Sequence, residues 1–384
     1  MNSTPSRRDL VGDNRLYGIE LVRIAMALAI VVWHYQHLSF AAIPAIPFVR
    51  EQQPFYGALR WLYEHGAYRV PTFWCISGFI FYWLYRESIP ARTVTGRDFL
   101  VLRVSRLLPM HWLTLLLVAL LQGVHHLQND RFFIYMHNDL RHFVMQVFLA
   151  SDWGFQAGYS FNGPIWAVSV EVLILLLFFA LLRTLGGSAR VVLAVLAVAL
   201  DLHLWSPVKS PLVDCAMYFF AGGLAALALG WHEALPRWRR PVYGLVVVLS
   251  GACLWAWAEA GQLTSLDMRP YLLLVYLPVL IFLIARPVKV PQAMTGPVRV
   301  LSNSTYAIYL IHFPLQLLLA CLFTYTATPV PFYSPWFFVV FMLGSVVLGV
   351  GINRAFEQPM QAWLRRGTRA STSHRPPAGH ASGA

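Results

Sequence analysis

The sequence predicts an all-α membrane protein: a polytopic helix bundle of about ten transmembrane helices with both termini cytoplasmic. Three observations lead there. Hydrophobic residues make up 58% of the 384 residues and charged ones only 12%, more apolar surface than a soluble domain can hide. Apolar runs recur along the chain at about the 20 residues a helix needs to cross a bilayer. Connecting segments alternate between rich and poor in Lys and Arg, at about three to one, as the positive-inside rule requires. That alternation explains the net charge of +12 as a solvated cytoplasmic face and argues against nucleic-acid binding.

The elements follow in order. Residues 1–16 form a polar cytoplasmic segment carrying Arg7, Arg8 and Arg15. It is not read as a signal peptide, because the apolar run after it is long enough to span and no small-residue cleavage site follows. One membrane domain, 17–359, then holds spans at 17–38, 67–85, 107–124, 163–182, 191–205, 212–231, 242–258, 271–285, 300–324 and 336–353. The fifth and eighth are short. The outer connection 39–66 contains Pro44, Pro47 and Pro54, and the outer stretch 125–162 is rich in His, aromatic and acidic residues. Long loops of this kind serve as lids or binding surfaces. The tail, 360–384, is basic and then rich in Ser, Pro and Gly, and is expected to be disordered. Cys75, Cys215, Cys253 and Cys321 all lie in apolar segments without a CxxC spacing, so neither a disulfide framework nor a metal site is expected.

Several spans carry groups that a purely structural bundle does not need. Glu171 lies about two turns inside the fourth span, a placement costing ~3 kcal/mol on insertion scales and ~10 or more by simulation. Arg23 and His34 are 11 residues apart in the first span, ~16 Å of rise and three turns, so they share roughly one face. A histidine there can serve as a general base, or merely bond a neighbouring helix. Glu20, one turn before Arg23, is placed to pair with it. Ser77, in FWCISGF, contacts substrate or packs beside Gly78 as a small-residue pair. No GxSxG turn marks it as a nucleophile. Arg103 and Arg106, an i, i+3 pair before the third span, offer two forked donors suited to phosphate, or serve as ordinary positive-inside anchors. His312 lies midway along the ninth span, where Pro314 is expected to disturb the helix. His34, Ser77, Glu171 and His312 converge at the middle to outer half of the bilayer, with the arginine pair at the inner mouth.

Together these segments resemble the acyltransferase-3 family of integral membrane O-acyltransferases, which includes O-antigen and Nod-factor acetyltransferases. GIELVRIAMALAIVVWH looks like the family's first helix, with an acidic residue, then Arg, then His. PTFWCISGF is similar to its Phe-Phe-x-x-Ser-Gly-Phe segment, and LRVSRLLPMHW to its Arg-x-x-Arg-x-x-Pro segment. NGPIWAVSVEV resembles its Asn-x-x-x-Trp-Ser-Leu-Ser-x-Glu signature, and LSNSTYAIYLIHFP and EQP its closing segments. The chain departs from the pattern at Leu102, Ala167 and Val172, where relatives often have Arg, Ser and a second acid.

The resemblance implies that His34 is the catalytic base, with Glu171 supporting the site. Arg23, Arg103 and Arg106 would bind an acyl-CoA donor, acetyl-CoA by default, and no metal is implied. Ser77, Trp166 and His312 are the candidates on the substrate side. The implied reaction is acyl transfer to a hydroxyl of a sugar in a lipid-linked or surface polysaccharide, such as lipopolysaccharide, at the cytoplasmic (inner) membrane. Many relatives carry a fused hydrolase-like domain after the last span. Too few residues follow Pro359 for one, so transfer is expected to be completed by this chain or with a separate periplasmic partner. A transporter of a glycolipid or organic anion would share the need for intramembrane charges. The sequence shows neither the internal repeats nor the paired interrupted helices of such proteins.

Overall fold

The computed structural model describes residues 16–41, 48–64, 66, 69–206, 210–236, 269–285 and 290–366, with isolated positions between 237 and 250. Every regular element among them is helical. In chain order these are α1 (Tyr17–His34, continued by a 3₁₀ stretch Tyr35–Ala41), α2 (Tyr56–Glu64), α3 (Arg69–Tyr85), α4 (Gly96–Asn129), α5 (Leu140–Val147), α6 (Trp166–Leu185), α7 (Ala189–Trp205), α8 (Pro211–Ala234), α9 (Arg269–Ile284), α10 (Gln292–Tyr325), α11 (Pro335–Ile352) and α12 (Gln358–Leu364).

Six helical stretches among the described residues are long and apolar enough to cross a membrane: Tyr17–Ala41, Gly96–Asn129, Gly163–Leu185, Pro211–His232, Gln292–Tyr325 and Pro335–Leu364. Three further expected spans are helical but shorter: α3 and α7 have 17 residues each and α9 has 16. The expected span at 242–258 lies outside the described residues apart from isolated positions, as do residues 1–15 and 367–384.

Two long helices extend well beyond the expected spans. α4 starts at Gly96, where the Thr95 side chain accepts a hydrogen bond from the Asp98 N–H and so caps the helix. Arg103 and Arg106 therefore sit on a continuous helix about 50 Å long, by its 1.5 Å rise per residue. α10 also has 34 residues and runs through Pro297 and Pro314 without a break. The disturbance expected at Pro314 does not interrupt the helix. A proline removes one backbone donor and frees the carbonyl four residues earlier, here that of Leu310. Asn162 Nδ2 donates to that carbonyl at 3.1 Å, so the buried oxygen keeps a partner.

The helices pack as two groups that share α1. In the first, α3, α6, α7, α8 and α9 surround Trp74, Phe79, Tyr82, Phe178, Phe219 and Phe282. The α3–α8 contact is nearly backbone to backbone: a Cβ on Gly78 would lie 1.7 Å from the Phe219 carbonyl oxygen, and one on Gly222 1.9 Å from that of Cys75. Small residues permit this approach, and dispersion between closely fitted helices holds it where no hydrophobic drive operates. In the second group, α1, α4, α10 and α11 pack around Tyr35, Leu115, Phe313, Leu317, Phe338 and Phe341. The stretch between α4 and α6 folds down on one end of this group. Gln122 exchanges two 2.9 Å bonds with the Phe133 backbone, and His111 Nε2 donates to the Gln146 carbonyl at 2.6 Å. Asp139 caps α5 through the His142 N–H at 2.9 Å. Arg69, the first residue of α3, is 1% exposed and donates to the Leu62 carbonyl at 2.6 Å near the C-terminus of α2.

Candidate active site

Between the two groups lies a cavity of about 480 Å³, lined from α1, α3, α4, α6, α10 and α12. Five of the sequence candidates meet in it: Arg23, Ser77, Arg103, Arg106 and Glu171. α3 divides its work between neighbouring residues. Gly78 makes the contact with α8, and Ser77, rotated about 100° around the helix, faces the cavity. Ser77 Oγ donates to Glu171 Oε1, which gives the intramembrane carboxylate a polar partner on the neighbouring helix.

The arginines have distinct surroundings. Arg23 Nη2 donates to Thr305 Oγ1 at 3.4 Å. The Arg103 guanidinium lies over the Phe81 ring, 4.6 Å from its centroid, a cation–π placement. Arg106 Nη1 donates to Glu357 Oε1 at 2.5 Å and Nη2 to the Asn303 carbonyl at 3.3 Å. The i, i+3 pair is thus not one uniform fork: Arg103 rests on aromatics and Arg106 on a carboxylate. Glu357 is fully buried and also accepts from Asn353 Nδ2 at 2.7 Å and Gln361 Nε2 at 2.9 Å. It ends a π-turn, Asn353–Glu357, that joins α11 to α12.

α12 spans the boundary drawn at residue 359 between membrane domain and tail. It packs on α4 and contributes Gln361 to the cavity wall, and Arg365, just past its end, also lines the cavity. Arg365 Nε donates to Ser105 Oγ at 2.9 Å. The sequence reading missed Glu357, Gln361, Arg365, Thr305, Tyr306 and Tyr309. Glu357 had a signal in the EQP segment, and Thr305, Tyr306 and Tyr309 in LSNSTYAIYLIHFP; Gln361 had none, and Arg365 looked like one more tail cation.

His34 and His312 stand outside this lining and pair with each other. His34 Nδ1 and His312 Nε2 are 2.8 Å apart, one donating and the other accepting, and the rings stack with an interplanar angle of 8°. His312 is fully buried and His34 is 8% exposed. Gln316 Nε2 donates to the His34 carbonyl at 2.7 Å, and the His37 ring stacks on His34 at 4.9 Å. Ile30 and Tyr309 do line the cavity. They precede His34 and His312 by four and three residues, so the imidazole pair lies about one helical turn beyond the cavity's end. Trp166 is not in the lining either; it opens α6 edge-on to Trp74 at 5.7 Å, with Tyr159 at 6.1 Å. Among the described residues no group of three or more His, Cys, Asp or Glu could hold a metal ion.

A cavity in an apolar bundle, with guanidiniums in its wall and an imidazole pair one turn beyond its end, suits transfer of a group from an anionic donor to a protic acceptor. No curated protein and no solved structure matches the chain. The family model of the acyltransferase-3 acyltransferase domain matches residues 16–354, from the first turn of α1 into the π-turn. By that match, over a helical bundle with several apolar spans, the chain belongs to the acyltransferase-3 family and is a membrane acyltransferase.

Proposed function

We propose that the protein is an O-acyltransferase of the cytoplasmic (inner) membrane. It takes an acyl group, acetyl by default, from acyl-CoA at the arginine end of the cavity. It passes that group to a sugar hydroxyl of a lipid-linked or cell-surface polysaccharide at the histidine end. The observation that supports this reading best is the cavity between the two helix groups. It gathers Arg23, Arg103 and Arg106 with Ser77 and Glu171 and stops one turn short of the His34–His312 pair.

In the proposed reaction His34 takes the proton of the acceptor hydroxyl as its oxygen attacks the thioester carbonyl. The new C–O bond forms, the C–S bond breaks, and the thiolate leaves to be protonated as CoA. General bases of this kind contribute ~10²–10⁴-fold. His312, bonded to Nδ1 of His34, sets its tautomer and leaves Nε2 for the acceptor. The guanidiniums hold the donor's phosphates. Ten spans with both termini and the arginine end cytoplasmic follow from the Lys/Arg alternation.

The test is reconstituted protein incubated with radiolabelled acetyl-CoA and membrane glycan, scored for labelled glycan and released CoA. Wild type is expected to yield both, and His34→Ala less than about a tenth of either while still inserting. Release of no CoA by wild type would overturn the donor assignment. Full activity in His34→Ala would overturn the base.

A further inference from the structure

Four guanidiniums line one end of the cavity, and only three belong to segments that resemble the family's motifs. The fourth, Arg365, lies beyond the family match, which ends at residue 354. It reaches the cavity because α12, which continues α11 through the π-turn Asn353–Glu357, packs on α4. Single π-turns are often found at functional sites. Its anchor is specific: Arg365 Nε donates to the hydroxyl of Ser105, a fully buried residue of α4 between Arg103 and Arg106. Three guanidiniums are thereby drawn to one mouth, where Glu357 answers Arg106. Burial, and after it the like charges of Arg103 and Arg106, hold Arg365 below its usual range. Like charges gathered in this way repel, and a bound polyanion relieves the repulsion. A cavity of about 480 Å³ accommodates a pantetheine-sized arm and leaves a nucleotide end at the mouth.

We propose that Arg365 is a donor-specificity residue: with Arg103 and Arg106 it binds a phosphate of the acyl donor at the cavity mouth, and so selects phosphate-bearing thioesters over uncharged ones. This rests on the acyl-CoA reading above. It assigns the helix after the last span to the donor site.

The experiment compares acetyl-CoA, acetyl-4′-phosphopantetheine and acetyl-pantetheine as donors for reconstituted wild type, Arg365→Ala, Arg365→Lys and Ser105→Ala. Wild type is expected to prefer acetyl-CoA to acetyl-pantetheine in kcat/KM. Arg365→Ala should shrink that preference roughly tenfold or more, chiefly through the KM of acetyl-CoA, as loss of a charge-assisted hydrogen bond implies. Lysine, with the charge but not the planar fork, should recover part of it. Ser105→Ala keeps the guanidinium and loosens its anchor, so it should shrink the preference less; it also decides the matter if Arg365→Ala does not fold. The intermediate donor tells which phosphate is read. Equal losses on all donors would make Arg365 a structural residue and overturn the inference while leaving the acyl-CoA reading intact. Transfer by wild type from none of the donors would overturn both.

Discussion

Removal of Glu357 tests the charge arrangement at the cavity mouth. The Glu357 carboxylate is fully buried, Arg106 is 26% exposed, and their nearest atoms are 2.5 Å apart. With charge centres ~4 Å apart and an effective dielectric of ~20, the gross attraction is ~4 kcal/mol. Breaking a buried pair by deleting one partner costs ~3–5 kcal/mol, because the other charge stays behind unpaired. Arg106 retains some solvent and the Asn303 carbonyl, so Glu357→Ala is expected near the low end, about 3 kcal/mol. Arg106→Ala strands the carboxylate in turn, although Asn353 and Gln361 still donate to it. Removing both leaves no stranded charge, so the double variant should cost about 2 kcal/mol less than the sum of the singles. The assay is the apparent Tm of the four proteins in one detergent, read as a double-mutant cycle. Glu357→Gln should fall between wild type and Glu357→Ala. Strict additivity of the two alanine variants would refute the pairing.

Three other outcomes are expected. His312→Ala should lower kcat more than about tenfold but less than His34→Ala does, and should shift the pH profile of kcat/KM; His312→Gln, which keeps a polar partner, should recover part of it. An unshifted profile would remove His312 as a positioning residue. Gly78→Ala should destabilise the detergent-solubilised protein by ~1–3 kcal/mol or more, because its Cβ would meet the Phe219 carbonyl at 1.7 Å, whereas Gly344→Ala, whose Cβ would sit 3.8 Å from Leu315, should be tolerated. Equal melting temperatures would argue against the close α3–α8 contact. Hydrogen bonds from the His142 backbone N–H and ring hold the Asp139 carboxyl below its usual range. The cap on α5 is therefore complete above the ordinary Asp value of ~3.9 and is lost as pH falls through the lowered one. Exchange protection of the His142 and Phe143 amides should be flat down to about pH 5 and fall only in stronger acid. Loss already between pH 7 and 5 would contradict this.

The sequence alone established a helical membrane protein and its family, and marked Arg23, Ser77, Arg103, Arg106 and Glu171, which the structure gathers in one cavity. The reason is energetic. A charge inside an apolar run is costly, so it stands out without knowledge of its partner. The divided roles of Ser77 and Gly78 were out of reach, because spacing gives the face a residue occupies but not which neighbour that face meets. The same holds for Asn162, whose amide supplies the partner that Pro314 removes from Leu310, 148 residues away.

Tertiary structure decided the partners. Arg106 finds Glu357 across 251 residues, and His34 finds His312 across 278. No local pattern encodes such distances, since loop closure lets segments far apart in sequence meet at small added cost. Arg365 shows the limit most clearly. By composition it begins a basic tail, and only the packing of α12 on α4 and the Ser105 hydroxyl bring it to the cavity wall. Chemistry-bearing residue types are written in the chain wherever burial makes them expensive. Which of them share a site is set by helix packing, because contact energies arise only between surfaces the fold brings together.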